Sequence, residues 1–580
     1  MKSLTQEETM DGIIIERDAT PPLADVIQHN DEQPRYTKKE TLLTMLGVLL
    51  VMLLASLDQT IVSTAMPHII SDLQGFDRYT WVTTAYMLTS TVMVPIYGKL
   101  SDLYGRKSIF LIGVSIFLFG SALSGAAQSM NQLIAFRALQ GLGAAALLPI
   151  AIAVVGDLFT PRERGKWQGV TTAIFGLSSI LGPAVGGWIT ENTTWRWVFY
   201  VNLPIGMVAL FVLIFLMPTL HQKVQQAKID YIGAFLLVLG TVPLLLGFTW
   251  AGGDLAWTSA PIIGLFTLSI VAFIAFFGYE IRLAHRGEQP IIDPRLFKNS
   301  IFSISILVTM IINMGMFGSI FFLPLFAQGV LGVSATNSGL LLSPMMIALM
   351  ISSIISGQLI SRFGKYKWVA IVGLLITIVG MYFLYRLNVN SANIDLSIAM
   401  VIVGLGLGFG MSTYTIAVQN ALPDKIGEAT SALTFFRSIG GTVALAAMGS
   451  LMSSAYVPGF HSALPASLKQ VLPAKLLNVF DNPNILLSAD MQKQIQQQFR
   501  HFGPQGASIY NQLIEAVKIG LTQGIHNVFI LSLVLMVVAL VAAFFLKELP
   551  LRGSVAVKDK AQNLEGISHE VESVSPVMLH

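Results

Sequence analysis

The chain has no cysteine at all, which excludes disulfides and thiolate metal sites while leaving the compartment open. Charge is also scarce. Asp, Glu, Lys and Arg make up 12% of 580 residues, against about a quarter in a typical soluble domain. The net charge of +3 is not gathered into a basic patch, so no nucleic-acid partner is expected. No GxxxxGK[ST] stretch is present to cradle a nucleotide phosphate, and the nine histidines lack metal-ligand spacing. Neither an enzyme nor a resident cofactor or metal is expected. Residues 1–40 are polar and lack the apolar core and small-residue cleavage site of a signal peptide, so they read as a tail before an uncleaved first span.

What remains is apolar: 54% of residues are hydrophobic and mean hydropathy is +0.68, the composition of an integral membrane protein. Runs of roughly 20 apolar residues, enough to cross a bilayer, recur about fourteen times between 42–67 and 525–546. Short loops on one side carry Lys99, Arg106, Lys107, Arg164, Lys166, Lys223, Lys228, Arg282, Arg286, Arg362, Lys365 and Lys425. The other side has Arg78, Arg196, Arg386 and little else, which places both termini in the cytoplasm.

The pattern is internally repeated. Gly98, Asp102, Gly105, Arg106 and Lys107, in a charged turn between two spans, are answered by Gly357, Arg362, Gly364 and Lys365. Pro161 to Gly165 is answered at a similar offset by Pro423 to Gly427. Two echoes at nearly one offset predict an all-α membrane protein of two related six-helix bundles. The expected order is a tail (1–40), a first bundle (41–218), an inserted two-span hairpin with linkers (219–299), a second bundle (300–546) and a polar tail (547–580). The hairpin turns through Ala251 to Asp254, and a spacer role for it is as acceptable as a functional one. The second bundle holds one long outward segment, 456–524, whose mixed residues suit amphipathic helices on the outer leaflet or capping the mouth, a poorly ordered loop being the alternative.

Asp58 and Arg137 are the residues most out of place, each an ionisable side chain inside an apolar run and so a functional candidate. Asp58 lies about 24 Å along its span, leaving about 6 Å of a core roughly 30 Å thick, and Arg137 lies about 9 Å from that same edge. The two are expected at similar depth. Burial disfavours the carboxylate and a nearby guanidinium favours it, so moving Arg137 or binding a substrate would alter proton occupancy. A fixed pair that only specifies packing is the competing reading.

Other candidates are softer. In the Gly98 turn, Gly105 permits a tight bend, Asp102 can accept from backbone amides, and Arg106 and Lys107 anchor the inner face, as in a latch between bundles. Gly182, Pro183, Gly186 and Gly187 lower bulk and remove one backbone donor, which allows close approach and a bend. Tyr86, Gln140, Asn313, Met314, Met346, Tyr414 and Gln419 are candidates for a substrate cavity, the methionines because they adapt to varied apolar ligands.

Taken together, these residues resemble the major facilitator superfamily, and within it the fourteen-span drug:proton antiporters of the EmrB/QacA type. Leu57 to Val62 resembles that branch's first-span motif, Gly98 to Lys107 the superfamily hairpin, and Arg137 to Gly143 the fourth-span basic motif. Gly182 to Gly187 is similar to the antiporter motif, and Trp195 to Gly206 to the sixth-span signature, while Leu103 stands where the family usually carries a basic residue. The resemblance implies alternating access by two rocking bundles, an antiporter direction with a proton gradient as energy source, Asp58 as a proton or cation site and Arg137 as its coupling partner. It implies a monomeric multidrug exporter of amphipathic, often cationic, small molecules in the cytoplasmic membrane, with an adaptor protein left open. A lipid or glycolipid exporter of the same fold is the alternative, followed by a transport-inactive sensor or assembly protein.

Overall fold

Inside a bilayer no water satisfies a backbone N–H or C=O, so apolar runs of this length must close their hydrogen bonds internally as helices. The computed structural model describes residues 37–73, 79–218, 229–251, 255–333, 342–471, 477, 480, 481, 489–500 and 504–551. Among these the structure is helical, with no β-structure beyond one isolated bridge between Ala251 and Leu255. The terminal tails up to residue 36 and from 552, Arg78, Lys223, Lys228 and the 252–254 turn lie outside the described residues.

The first half comprises α1 (Lys38–Leu73), α2 (Tyr79–Tyr104), α3 (Arg106–Gly125), α4 (Met130–Leu158), α5 (Pro161–Asn192), the short α6 (Trp197–Tyr200) and α7 (Asn202–Leu216). Next come α8 (Tyr231–Trp250) and α9 (Ala260–His285), packed on each other. The second half is α10 (Ser300–Gly329), α11 (Ser343–Phe363), α12 (Lys367–Arg386), α13 (Asn393–Ala421), α14 (Ile426–Ala463), α15 (Ala466–Val471), α16 (Ala489–Arg500) and α17 (Pro504–Phe544).

Thirteen of the described segments are long and apolar enough to cross a membrane, α6 and α7 counting as one. Helix α2 is not among them. It carries Thr83, Thr84, Thr89, Ser90 and Thr91 and packs on α4 and α14; Thr91 is buried and the Thr89 hydroxyl donates to the Ala138 carbonyl at 2.9 Å, while Thr83 is exposed. With α2 added, each expected span has its helix.

Segment 456–524 differs from expectation. Helix α14 has 38 residues and α17 has 41, about 57 and 62 Å, roughly twice a bilayer core. They stay helical past the membrane because they have each other to pack on: a Cβ on Gly459 would lie 3.2 Å from the Gly520 Cα, and one on Gly520 would lie 2.7 Å from the Phe460 N. Amphipathic helices remain only in the shorter stretch between. Helix α16 buries Ile495 and Phe499 among glutamines, and Tyr456 donates to the Phe480 carbonyl at 2.6 Å.

The two halves meet most closely at the Gly98 end. A Cβ on Gly98 would strike the Ser431 side chain and sit 3.4 Å from the Gly427 carbonyl; a Cβ on Gly357 would strike the Gly165 carbonyl. Each glycine of the first sequence echo is thus seated against a glycine-bearing turn of the second echo in the opposite half. Farther along the same seam, a Cβ on Gly176 of α5 would lie 3.1 Å from the Met346 carbonyl of α11. The inserted pair covers another part of the seam, since α8 packs on α2 from the first half and α14 from the second. Trp81 and Trp250 meet edge to face at 5.9 Å, and the Trp257 indole donates to Ser450 Oγ at 2.9 Å.

Candidate functional site

Asp58 is fully buried in α1, and three neutral or positive donors from two other helices converge on its carboxylate. Arg137 Nη1 donates to Oδ2 at 2.8 Å, Gln140 Nε2 donates to Oδ1 at 2.9 Å, and Asn202 Nδ2 donates to Oδ1 at 3.0 Å. Arg137 and Gln140 are three residues apart on α4, so helical spacing puts both on the face toward α1. Asn202 opens α7, and its amide also reaches Ser121 Oγ of α3 at 3.0 Å. Arg137 is held on its remaining sides by Gln140 Oε1 at 2.8 Å, by the Val82 carbonyl at 3.4 Å, and by the Tyr86 ring, 4.1 Å from its guanidinium carbon. A buried charge is tolerated only when paired and hydrogen-bonded, and this one is both.

A cavity of about 180 Å³ lies between the halves, beside but apart from this cluster. Ser56 and Gln59 of α1 line it, whereas Asp58 between them faces into the first half. Of the expected cavity residues, Asn313 lines it. The others do not. Gln140 is committed to Asp58, and Tyr86 lies under Arg137. Met346 and Tyr414 are buried in the core of the second half and Met314 packs against that core. Gln419 is buried at the seam, where its amide donates to the Ile152 carbonyl at 3.4 Å and Thr430 Oγ1 at 3.2 Å. Each of these side chains faces the interior of its own half or the closed seam, a distinction that spacing along one helix cannot make. The cavity includes Arg437, which sequence reasoning passed over although it too is a charge inside an apolar run. No Asp or Glu lines it, so nothing there matches the expected preference for cations. A wider depression of about 510 Å³ is lined by residues from the end of α14 and the start of α17, such as Ala463, Ser508 and Glu515, all from the second half.

The Gly98 turn is built around Arg106. Gly105, with φ 90°, separates α2 from α3 in a conformation that side chains disfavour. Arg106 is buried, pairs with Asp102, donates from Nε to Asp157 Oδ2 at 2.8 Å, and donates to Ser101 Oγ at 2.6 Å. Asp102 therefore faces the Arg106 guanidinium, four residues on across the Gly105 turn, rather than the expected backbone amides. Lys107 caps the end of α7, donating to the Ile214 and Met217 carbonyls at 2.8 and 2.7 Å. Lys99 reaches Glu428 of α14 at 3.6 Å.

In α5, which runs helical through the glycine cluster, a Cβ on Gly182 would strike the Thr60 hydroxyl, and that hydroxyl donates to the Ser178 carbonyl at 3.0 Å. The Gly186 carbonyl accepts from Thr190, and Gly187 faces open space. The Pro183 side chain lies outside the described residues.

The family model described as Major Facilitator Superfamily matches residues 48–445. The chain belongs to the major facilitator superfamily. It is 39% identical to the multidrug transporter protein MdtP of Bacillus subtilis (strain 168) over 560 residues, covering 94% of this chain and 99% of the relative. It is 37% identical to multidrug resistance protein 3 of the same organism over 523 residues, covering 90% and 98%. Among solved structures, it is similar to a bacterial homologue of the human lysosomal transporter Spinster, in an inward-facing unoccupied conformation, with a TM-score of 0.53 and 16% identity, covering 88% of this chain and 98% of that one. It is also similar to the human organic anion transporter MFSD10, with a TM-score of 0.51 and 14% identity, covering 86% and 99%. At such identities those two likenesses concern the fold alone. The molecule is a multi-pass membrane transporter of the superfamily, not an enzyme, and its cargo is a small molecule.

Proposed function

We propose that this transporter exports amphipathic small molecules of varied structure across the cytoplasmic membrane in exchange for protons, with both termini inside. The observation that carries the proposal is the buried Asp58 held by Arg137, Gln140 and Asn202. Three donors converge on the Asp58 oxygens in this conformation, so a proton placed there would displace one of them, most simply Arg137. Because Asp58 faces away from the cavity, proton and substrate are coupled through movement of α1 and α4 rather than by competing for one spot. The named activities of the two Bacillus relatives support export of drugs, and the basic short loops support the orientation.

No resident cofactor is needed. An inward proton yields about 2.3 kcal/mol per 100 mV, and about 1.4 kcal/mol is tenfold, so each proton supports roughly 50-fold accumulation per 100 mV. A two-chain lipid is the weaker reading, since neither the cavity nor α16 offers a pair of apolar channels.

The test uses proteoliposomes with an imposed pH gradient, following a neutral amphipathic dye together with proton release. Wild type is expected to exchange one for the other and to stop when a protonophore is added; Asp58→Asn is expected to lose at least about tenfold of the exchange, the size of effect for a group that must carry a proton. Full coupling in Asp58→Asn would make the cluster structural and move the proton site elsewhere.

A further inference from the structure

Arg437 sits on α14, and its backbone carbonyl accepts from Asn313 Nδ2 at 2.7 Å, which fixes that turn of helix against α10. Its side chain is half-buried and reaches the cavity between the halves. Among the described residues, no carboxylate pairs with its guanidinium and no acceptor takes its protons. Arg106, Arg137 and Arg196, by contrast, each hold an Asp.

A guanidinium stays charged at any physiological pH and offers five donors in a planar fork. Placed in a water-poor cavity without a partner it is costly, and in a membrane protein such a charge is by default a functional one. The rest of the lining cannot neutralise it. Facing it are hydroxyls and amides such as Gln59, Gln168, Thr434 and Ser438, and apolar surfaces such as Met316 and Phe317. The buried carboxylate of Asp58 is already committed to Arg137 and does not line the cavity. The cavity is therefore positive, with an apolar surround on one side and neutral polar groups on the other.

From this we infer that Arg437 is the head-group site of the transporter, and that its preferred cargo is an amphipathic anion: an apolar body carrying a carboxylate or a similar planar acidic group. The inference rests on reading the cavity as the substrate path. It reverses the expectation of cationic cargo, because a cation entering here meets a fixed positive charge and no acid. A carboxylate can instead be gripped by two parallel N–H bonds while its body packs on the Met and Phe side chains. Neutral molecules remain acceptable, held by the apolar surface and amides alone, which fits a varied cargo.

The experiment measures equilibrium binding of three pyrene probes to the full-length protein in lipid nanodiscs, subtracting partition into empty nanodiscs. The probes share a four-carbon arm and end in a carboxylate, a primary amide or a trimethylammonium group. The carboxylate is expected to bind on the order of tenfold or more tighter than the ammonium, the range for a charge-assisted hydrogen-bonded contact. Arg437→Gln should bring the carboxylate and amide to within about twofold of each other, the retained amide binding showing that the variant is folded; Arg437→Lys should keep part of the preference. The inference is overturned if wild type prefers the ammonium, if it binds none of the three, or if Arg437→Gln leaves the carboxylate preference intact. Should the Gln variant not fold, the wild-type ratio and the Lys variant still decide. Binding needs no gradient, so failure of proton coupling at Asp58 and failure of the Arg437 assignment are read separately.

Discussion

Asp58 and Arg137 stand out in the sequence because one charge in an apolar run is a signal complete in itself. Arg437 carries the same signal, a charge inside an apolar run. Asn202 and Ser121 were harder to find. Each is a small neutral polar residue on a different helix, and only tertiary packing brings Asn202 to the Asp58 carboxylate and Ser121 to the Asn202 amide, although Asn202 lies within the Trp195 to Gly206 stretch that resembles the sixth-span signature. The same stretch supplies a second ion pair, at the far end of α1 beyond its apolar part. Asp72 Oδ2 accepts from the Trp195 indole at 2.8 Å and from Arg196 Nη1 at 3.0 Å, while Arg196 also donates to the Ala127 carbonyl at 2.9 Å. The indole bond first, and then Arg196, hold the Asp72 carboxyl below the usual carboxylate range. A depressed folded value means that this tie is fully present above the unfolded carboxylate value, near 3.9, and is lost as pH falls through the lower folded value. Thermal unfolding followed from pH 7 down to about 3 should show wild type losing its small advantage over Asp72→Asn only below about pH 4. The advantage at neutral pH should be under about 1 kcal/mol, because Asp72 is largely exposed. An advantage that persists at low pH would mean that the bonds do not depend on the charge.

At the scale of elements, the length of the apolar runs located the spans. Helix α2 is the instructive case: its hydroxyls weaken it as a lipid-facing helix yet suit it to a cavity wall, where Ser90 and Thr91 sit. The ends of α14 and α17 were not legible, because what extends them is mutual contact through Gly459 and Gly520 rather than any local propensity. The two hairpin glycines, equivalent in sequence, are not equivalent in tolerance. Gly357 faces the Gly165 backbone carbonyl, which no rotamer can move, whereas Gly98 faces the Ser431 side chain first. Gly98→Ala should therefore impair transport and be substantially restored by Ser431→Gly, which removes the struck atoms. Gly357→Ala should resist rescue by any single side-chain truncation, overpacking of this kind costing about 1–3 kcal/mol of the closed arrangement. Transport rates in vesicles for the two single variants and the rescued pair make the comparison, and equal rescue at both sites would refute it.

For the molecule as a whole, the internal repeat predicted two bundles but not how they engage. The packing answers this: the Gly98 turn meets Gly427, and its counterpart at Gly357 meets Gly165, so each sequence echo finds the other across the seam. Both contacts lie at the same end, and the seam stays tight as far as Gly176. The remaining space, about 180 Å³, is smaller than the roughly 300–1,000 Å³ of most drug-sized sites. This conformation is thus closed at the Gly98 end, and we expect the halves to part there when cargo is accepted. Lys166 and Arg362, both exposed, follow Gly165 and Gly357 by one and five residues and flank this contact from the two sides. Because the chain has no native cysteine, spin labels attached at Cys substitutions of these two residues report on the seam without background. Wild type in nanodiscs should give a short-distance population matching the closed seam and a second, longer one. Gly357→Ala should shift the balance toward the longer distance by roughly tenfold, the equivalent of about 1.4 kcal/mol, if its Cβ acts only on the closed state. Asp58→Asn should move the same balance in a pH-independent way while wild type responds to pH, since the proton is then the ligand that distinguishes the two states. A single, pH-invariant distance in every variant would mean that the seam does not open there, and that access to the cavity comes by another route.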